Sequence, residues 1–306
     1  MLSEVFYWVF NMSIAASMAG VVVLLLSKIR RIPRRIIAFL FAVPFLRMWI
    51  PIAMGSKYSF MSLISQITTK TVAKTVVIYK GSRDFSVMNH VMAADTYFPV
   101  IYKTSLLENV FRITAVVWSG VAVVLLLIAF IAYIAAMSEL KDAAHLQDNV
   151  YLSDKITSPA VYGIVRERII IPREYETVDL KFILTHENVH IKRKDNLWRI
   201  LAIITACIHW FNPMSWLLLK SFLTNLELAC DETVLKKYGE GEKKKYAAAL
   251  LNCTENKGLY VSAFGGAKLR MRIDYIFSYK KLSVLSLVAF FILAAAMGYM
   301  LLTNAT

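Results

Sequence analysis

Residues Ile113–Met137 read ITAVVWSGVAVVLLLIAFIAYIAAM, a stretch with no charged side chain. A helix needs about 20 apolar residues to cross the hydrocarbon core of a bilayer, where no water is present to satisfy backbone groups. This stretch is long enough, and Val5–Leu26 and Leu282–Leu302 are likewise uncharged. A fourth segment, Ile36–Gly55, carries Arg47, Pro44 and Pro51. It counts as a span if Arg47, lying towards one end, snorkels to the interface. With 58% hydrophobic side chains in 306 residues and a mean hydropathy of +0.55, the chain exceeds an ordinary soluble domain. The expected fold class is a mainly α membrane protein with four transmembrane helices.

Glu4 stands where a signal peptide would carry basic residues, and no small-residue cleavage pattern follows, so Val5–Leu26 reads as a retained anchor. Lys28, Arg30, Arg31, Arg34 and Arg35 come next without an acidic residue, and such short basic loops stay cytoplasmic. Both termini are then outside, in a multi-pass cell-membrane protein. Residues 1–137 hold three spans, a basic inner loop (28–35) and an outer loop (56–112). Residues 138–281 form a cytoplasmic domain, and 282–306 form the last span and a short outer tail. The net charge of +14 sits largely in the basic loop and at helix ends beside membrane, so the partner is the lipid bilayer and not nucleic acid. Cys207, Cys230 and Cys253 are odd in number and lie on the reduced side, which implies no disulfide framework.

In the cytoplasmic region, Val150–Pro172 mixes Val, Ile and Tyr with turn residues Ser158, Pro159 and Gly163, the pattern of short strands. Arg168, Ile169, Ile170 and Ile171 read as a strand ending at Pro172, whose edge could take an extended peptide by strand addition. Asp179–Leu197 follows with helical spacing of Phe182, Ile183, Leu184, Val189 and Leu197, capped by Thr177 or Asp179. Within that helix stands His186-Glu187-Asn188-Val189-His190. Two histidines at i and i+4 share one face and can present imidazole nitrogens to one zinc ion. Glu187, about 100° around the helix, is placed to act as a base and not as a ligand.

A catalytic zinc site needs a third protein ligand and an open position. Glu227 and Asp231, at i and i+4, suit a ligand and a carboxylate that accepts a histidine N–H. Cys230, about 60° from Glu227, is the rival ligand. Ile200–Leu219 is apolar enough to span, but a crossing would separate Glu227 from the histidines. Pro213 also breaks it, so two apolar helices meet at Asn212–Pro213 and dip towards the inner leaflet. His209, and with it Asn212, offers either buried support or oxyanion stabilisation.

Together, the order of spans, the basic loop, the strand segment, His186 to Asp195, Trp210-Phe211-Asn212-Pro213 and Glu227 to Asp231 resembles the BlaR1/MecR1-type membrane metallopeptidases, the peptidase M56 family. The resemblance implies a cytoplasmic, gluzincin-like α+β zinc domain between the third and fourth spans, with His186, His190 and Glu227 on zinc. Asp231 falls where that family places a carboxylate behind a ligand, and Asp195 fits the pattern H-E-x-x-H-x-x-x-x-D. The antibiotic-sensing members carry an extracellular penicillin-binding domain after the fourth span, which a sequence ending at Thr306 does not include. Ser278-Tyr279-Lys280-Lys281 matches S-x-x-K by chance, without S-D-N or K-T-G. A signal would then reach the outer loop or a separate sensor protein.

The resulting expectation is metal-assisted peptide hydrolysis with Glu187 as general base. The protease would cleave a cytoplasmic protein such as a transcriptional repressor, or itself, in response to an outside signal. Two other classes remain open: a constitutive processing protease of the M48 type, which would not need the long outer loop, and a non-enzymatic receptor or scaffold, which would not need Glu187.

Overall fold

A computed structural model describes residues 2–29, 31–50, 58, 105–138, 140, 142–175, 180–255, 259–279 and 284–303. The outer loop expected at 56–112 lies mostly outside the described residues, as do Thr177 and Asp179. Two described helices are long and apolar enough to cross a membrane, α1 (Leu2–Ser27) and the helix whose apolar part is Asn109–Ser138. The second, α4 (Ser105–Ser138), follows α2 (Arg34–Leu40) and α3 (Ala42–Trp49). Its apolar side chains Val116, Phe130 and Ile131 are about 60% exposed. A helix apolar all round and still exposed has hydrocarbon for its solvent.

Within the expected span at Ile36–Gly55 the described residues form two short helices parted at Phe41, with residues 51–57 outside the described set. Pro44 has no N–H to give the Leu40 carbonyl, and the helix breaks there. Arg47 is buried and does not snorkel. After α4 come four strands, β1 (Ala144–Gln147), β2 (Val150–Ser153), β3 (Ala160–Tyr162) and β4 (Arg168–Pro172), in the order β1-β2-β4-β3. β2 and β4 are parallel and the outer pairings antiparallel. Hence β4 is an interior strand with Ile169, Ile170 and Ile171 fully buried, and the edge expected at Arg168–Ile171 is already paired on both sides. The edge strands among the described residues are β1 and β3.

The helices α5 (Lys181–Arg193), α6 (Asp195–Ile208), α7 (Pro213–Tyr238), α8 (Lys243–Glu255), α9 (Leu259–Ser278) and α10 (Val284–Leu302) complete the described α-helices. The single helix expected over Asp179–Leu197 is broken at Lys194, which takes a left-handed conformation (φ 56°). The chain turns at that residue, and α6 continues along α7 past α5, since Thr185 of α5 meets Tyr238, Arg193 meets Cys230 and Arg199 of α6 meets Glu227. One core joins β2, β3 and β4 to Phe182 and Ile183 of α5, Leu235 of α7, Tyr246 of α8 and Ile276 of α9.

A second core joins α1, α2, α3 and α10 to α6 and the first half of α7. Small side chains at Ala16, Ala19 and Gly20 bring α1 against α7, and a Cβ on Gly20 would stand 2.9 Å from Leu218. The α6–α7 hairpin matches the two apolar helices expected to meet at Asn212–Pro213. Its turn lies against the middle of α1, since Asn212 Nδ2 donates to Ser17 Oγ at 2.9 Å and His209 Nδ1 lies 2.5 Å from Ser13 Oγ. Trp118 Nε1 of α4 donates to the Ile208 carbonyl at 2.8 Å. Asn212 Oδ1 accepts from Met214 N at 2.9 Å and caps α7, with Pro213 at its first turn.

Gly163 ends β3 with φ 93°, and a Cβ there would meet the Arg166 carbonyl oxygen at 2.5 Å. Gly163→Ala is therefore expected to destabilise the sheet by about 1–3 kcal/mol. The measurement is the unfolding midpoint of the detergent-solubilised chain, and an unchanged midpoint would show that the β3–β4 turn relaxes freely.

Candidate metal centre

The i,i+4 spacing on α5 sets His186 and His190 on one buried face, with their Nε2 atoms 3.2 Å apart. Glu227 reaches them from α7, its Oε2 3.4 Å from His186 Nε2 and its Oε1 3.7 Å from His190 Nε2. One donor atom from each of these three residues lies within 4.8 Å of the others. The opposite ring nitrogens face carboxylates. His190 Nδ1 is 2.7 Å from Asp195 Oδ2, and His186 Nδ1 is 3.3 Å from Asp231 Oδ1. Such carboxylates orient an imidazole and leave its other nitrogen free for a metal. Two imidazoles and one carboxylate, each braced from behind, form a donor set that fits a divalent transition ion.

The left-handed Lys194 explains how Asp195, five residues after His190, comes to face it. The strained backbone is offset by the Asp195–His190 contact and by a Lys194–Glu167 ion pair at 2.9 Å. Cys230 Sγ lies 3.3 Å from His190 Nδ1, the nitrogen turned away from Glu227. It belongs to a second group with His190 and Asp195, on the outer side of the imidazole. Glu187 is buried beside the pair and makes no hydrogen bond or ion pair among the described residues.

Burial works to lower the His190 imidazole, but Cys230, Glu227 and Asp195 around it raise it well above its usual value. Burial alone would raise Glu227, yet His190, His186 and Arg199 hold its carboxyl well below the ordinary range. Asp231 also resists its burial and falls to about 2, chiefly through Arg272. Both carboxylates therefore stay ionised at neutral pH.

Sequence reasoning missed the groups that hold these carboxylates. Arg272 of α9 forks onto Asp231, with Nε at 2.9 Å from Oδ2 and a terminal nitrogen 2.7 Å from Oδ1, and also lies 3.4 Å from Glu227. Arg199 of α6 donates to Glu227 Oε1 at 2.6 Å. Tyr246 of α8 donates to Asp231 Oδ1 at 2.6 Å and lies 3.0 Å from His186 Nδ1. None of the three belongs to a spaced motif. One residue beyond Asp231, Glu232 accepts from the Arg34 backbone N–H at 2.7 Å and from the Tyr275 hydroxyl at 3.1 Å. It thus caps α2 and ties the basic loop to α7.

His209 and Asn212 do not reach this centre. Asn212 and Glu227 are fifteen residues apart along one helix, about 22 Å, so neither residue can stabilise an oxyanion there. They anchor the hairpin turn instead. The Arg168–Ile171 strand lies within the sheet, beneath α5, with no free edge to offer.

Asp231 is fully buried and Arg272 partly so, and removing the arginine's partner leaves a largely covered charge uncompensated. Asp231→Leu is expected to cost about 3–5 kcal/mol, and adding Arg272→Met should recover most of it. Thermal unfolding of the two variants checks this. A double variant no more stable than the single one would show that the ion pair does not hold α9 to α7.

The family model described as BlaR1 peptidase M56 matches residues 7–276. The chain is 34% identical over 122 residues to the regulatory protein BlaR1 of Bacillus licheniformis, covering 38% of this chain and 20% of that protein. It is 27% identical over 138 residues to the methicillin resistance mecR1 protein of Staphylococcus aureus, covering 42% of this chain and 24% of that protein. The matches thus span about a fifth to a quarter of the length of these relatives. With the model matched across both helical cores and the histidine site, the chain belongs to the BlaR1 peptidase M56 family.

Proposed function

We propose that this chain is an integral membrane zinc endopeptidase of regulatory type. It would cleave a cytoplasmic protein such as a transcriptional repressor, or itself, in response to an extracellular signal. One observation carries this reading: both histidine Nε2 atoms and the Glu227 carboxylate converge while both Nδ1 atoms rest on carboxylates. His186, His190 and Glu227 would hold the ion, with Asp231 and Asp195 behind the histidines. A zinc ion held there would supply Lewis-acid polarisation of the scissile carbonyl and acidify the attacking water. Glu187, adjacent and without a hydrogen bond or ion pair among the described residues, takes the proton from water and returns it to the leaving amine.

The regulatory role draws on the relatives, which are named as a regulatory protein and a methicillin resistance protein. The domain is gluzincin-like in its ligand set. The topology that fits has four spans, with α2 and α3 together as the second and α10 as the fourth, and places residues 138–281 in the cytoplasm. Both termini then lie outside the cell membrane. A separate sensor protein, or the outer loop, would receive the signal.

Substrate entry follows from the sheet. Ile169 N donates to Asn149 O, away from β3, so its partner Val161 also turns its N–H and C=O away from β4. The Val161 and Gly163 carbonyls both accept from Asn196 Nδ2, at 3.1 and 3.0 Å. An extended peptide pairing with β3 would therefore meet an edge partly held by Asn196.

Glu187→Gln is expected to keep the metal and lose cleavage by on the order of a hundredfold to ten-thousandfold. Glu227→Ala should lose the metal as well. Metal analysis of the detergent-purified variants, beside proteomics of cells carrying each, checks both. Undiminished cleavage in Glu187→Gln, or full zinc occupancy in Glu227→Ala, would sink the proposal.

A further inference from the structure

A cavity of about 520 Å³ opens between α2, α3, α6 and α7, with none of His186, Glu187, His190 or Glu227 in its walls. Sites for small ligands fall at about 300–1,000 Å³. Its sides are apolar, contributed by Phe45 and Trp49 of α3, Leu201 and Ala202 of α6, and Phe222 of α7. At one end Trp49 Nε1 donates to Thr205 Oγ1 at 2.7 Å, and that hydroxyl donates to the Leu201 carbonyl at 2.7 Å. No polar group is left over there. At the other end stand Arg35 and Arg193. Arg193 lies 3.4 Å from Asp195 and 3.5 Å from Cys230 Sγ. Arg35 is exposed and makes no ion pair among the described residues. From Asp195 to Thr205 the α6 wall rises about 15 Å.

We propose that this cavity binds one anionic glycerophospholipid, with its head group on Arg35 and Arg193 and an acyl chain running along α6 towards Thr205. Guanidinium groups match phosphate oxygens in geometry, and basic pockets between membrane helices select anionic head groups. A polypeptide would bring backbone N–H and C=O groups to walls that have no partner for them, whereas an acyl chain brings none. Asp195 and Arg193 line the cavity and also surround His190, so the lipid and the histidine site share a wall. The inference rests on the membrane topology proposed above, and not on peptidase activity.

The test reconstitutes the full chain in dioleoylphosphatidylcholine bilayers doped with a small fraction of acyl-brominated phosphatidylglycerol, and reads tryptophan quenching. The component assigned to the cavity is the part lost in a Trp49→Phe/Trp198→Phe variant. Brominated phosphatidylglycerol should quench it at fractions where brominated phosphatidylcholine does not. Arg35→Gln should weaken that quenching about fivefold in lipid fraction, Ala42→Phe should abolish it by filling the cavity, and Glu187→Gln should leave it unchanged. Equal quenching by the two lipids, or no effect of Arg35→Gln, overturns the proposal. Relief of quenching by an added apolar peptide would give the cavity to polypeptide and overturn it too. Flotation of the chain with vesicles reads the membrane topology separately, so a chain that floats but shows no lipid preference refutes the lipid site alone.

Discussion

Ionised groups leave water at a cost of several kcal/mol each unless every one is paired, and the space around His186 is crowded with them. Asp231 is the centre of that arrangement. It is fully buried and receives the Arg272 fork and the Tyr246 hydroxyl, and it backs His186. Four helices, α5, α7, α8 and α9, thereby meet at one carboxylate. Glu227 repeats the pattern one turn earlier, with Arg199 and Arg272 as its cations. The orientation of the two imidazoles is a consequence of these pairs, because each Nδ1 is held by a carboxylate and each Nε2 is turned inward.

The same helix that carries both carboxylates begins in the other core. α7 is capped by Asn212 against the middle of α1 and reaches Glu227 about four turns later. Gly20 and the neighbouring alanines let α1 lie close against it. One unbroken helix thus links the apolar bundle to the histidine site, and Glu232 adds a second link through the N-terminus of α2. A carboxylate carried by a helix seated in the bundle is tied to the geometry of that bundle.

Much of this was legible along the chain. Uncharged stretches identified α1 and α4 because hydrocarbon demands long apolar helices. The i,i+4 spacing of His186 and His190, and of Glu227 and Asp231, reports helical faces directly. Asn212–Pro213 announced the place where two apolar helices meet. Other features were not legible. The break at Lys194 carries no glycine or proline signal, since a left-handed lysine persists only where neighbouring contacts hold it. The edge expected at Arg168–Ile171 failed because a run of Ile is equally apt for an interior strand, and sheet order depends on non-local pairing. Of the two readings open for His209, buried support and oxyanion stabilisation, the structure shows it buried against Ser13 and the Met48 carbonyl, with the length of α7 keeping it remote from Glu227.

The sequence by itself determined which segments are apolar enough for a membrane and which residues can share a helix face, because both properties are local and periodic. Only the tertiary structure decided that Glu227 and not Cys230 faces the Nε2 atoms, that Arg199, Arg272 and Tyr246 surround them, and that β4 is interior while β1 and β3 are edges. Those outcomes depend on how far one helix is rotated against another and on which strands pair. Such quantities arise from contacts between residues tens of positions apart, where no periodicity in the chain records them.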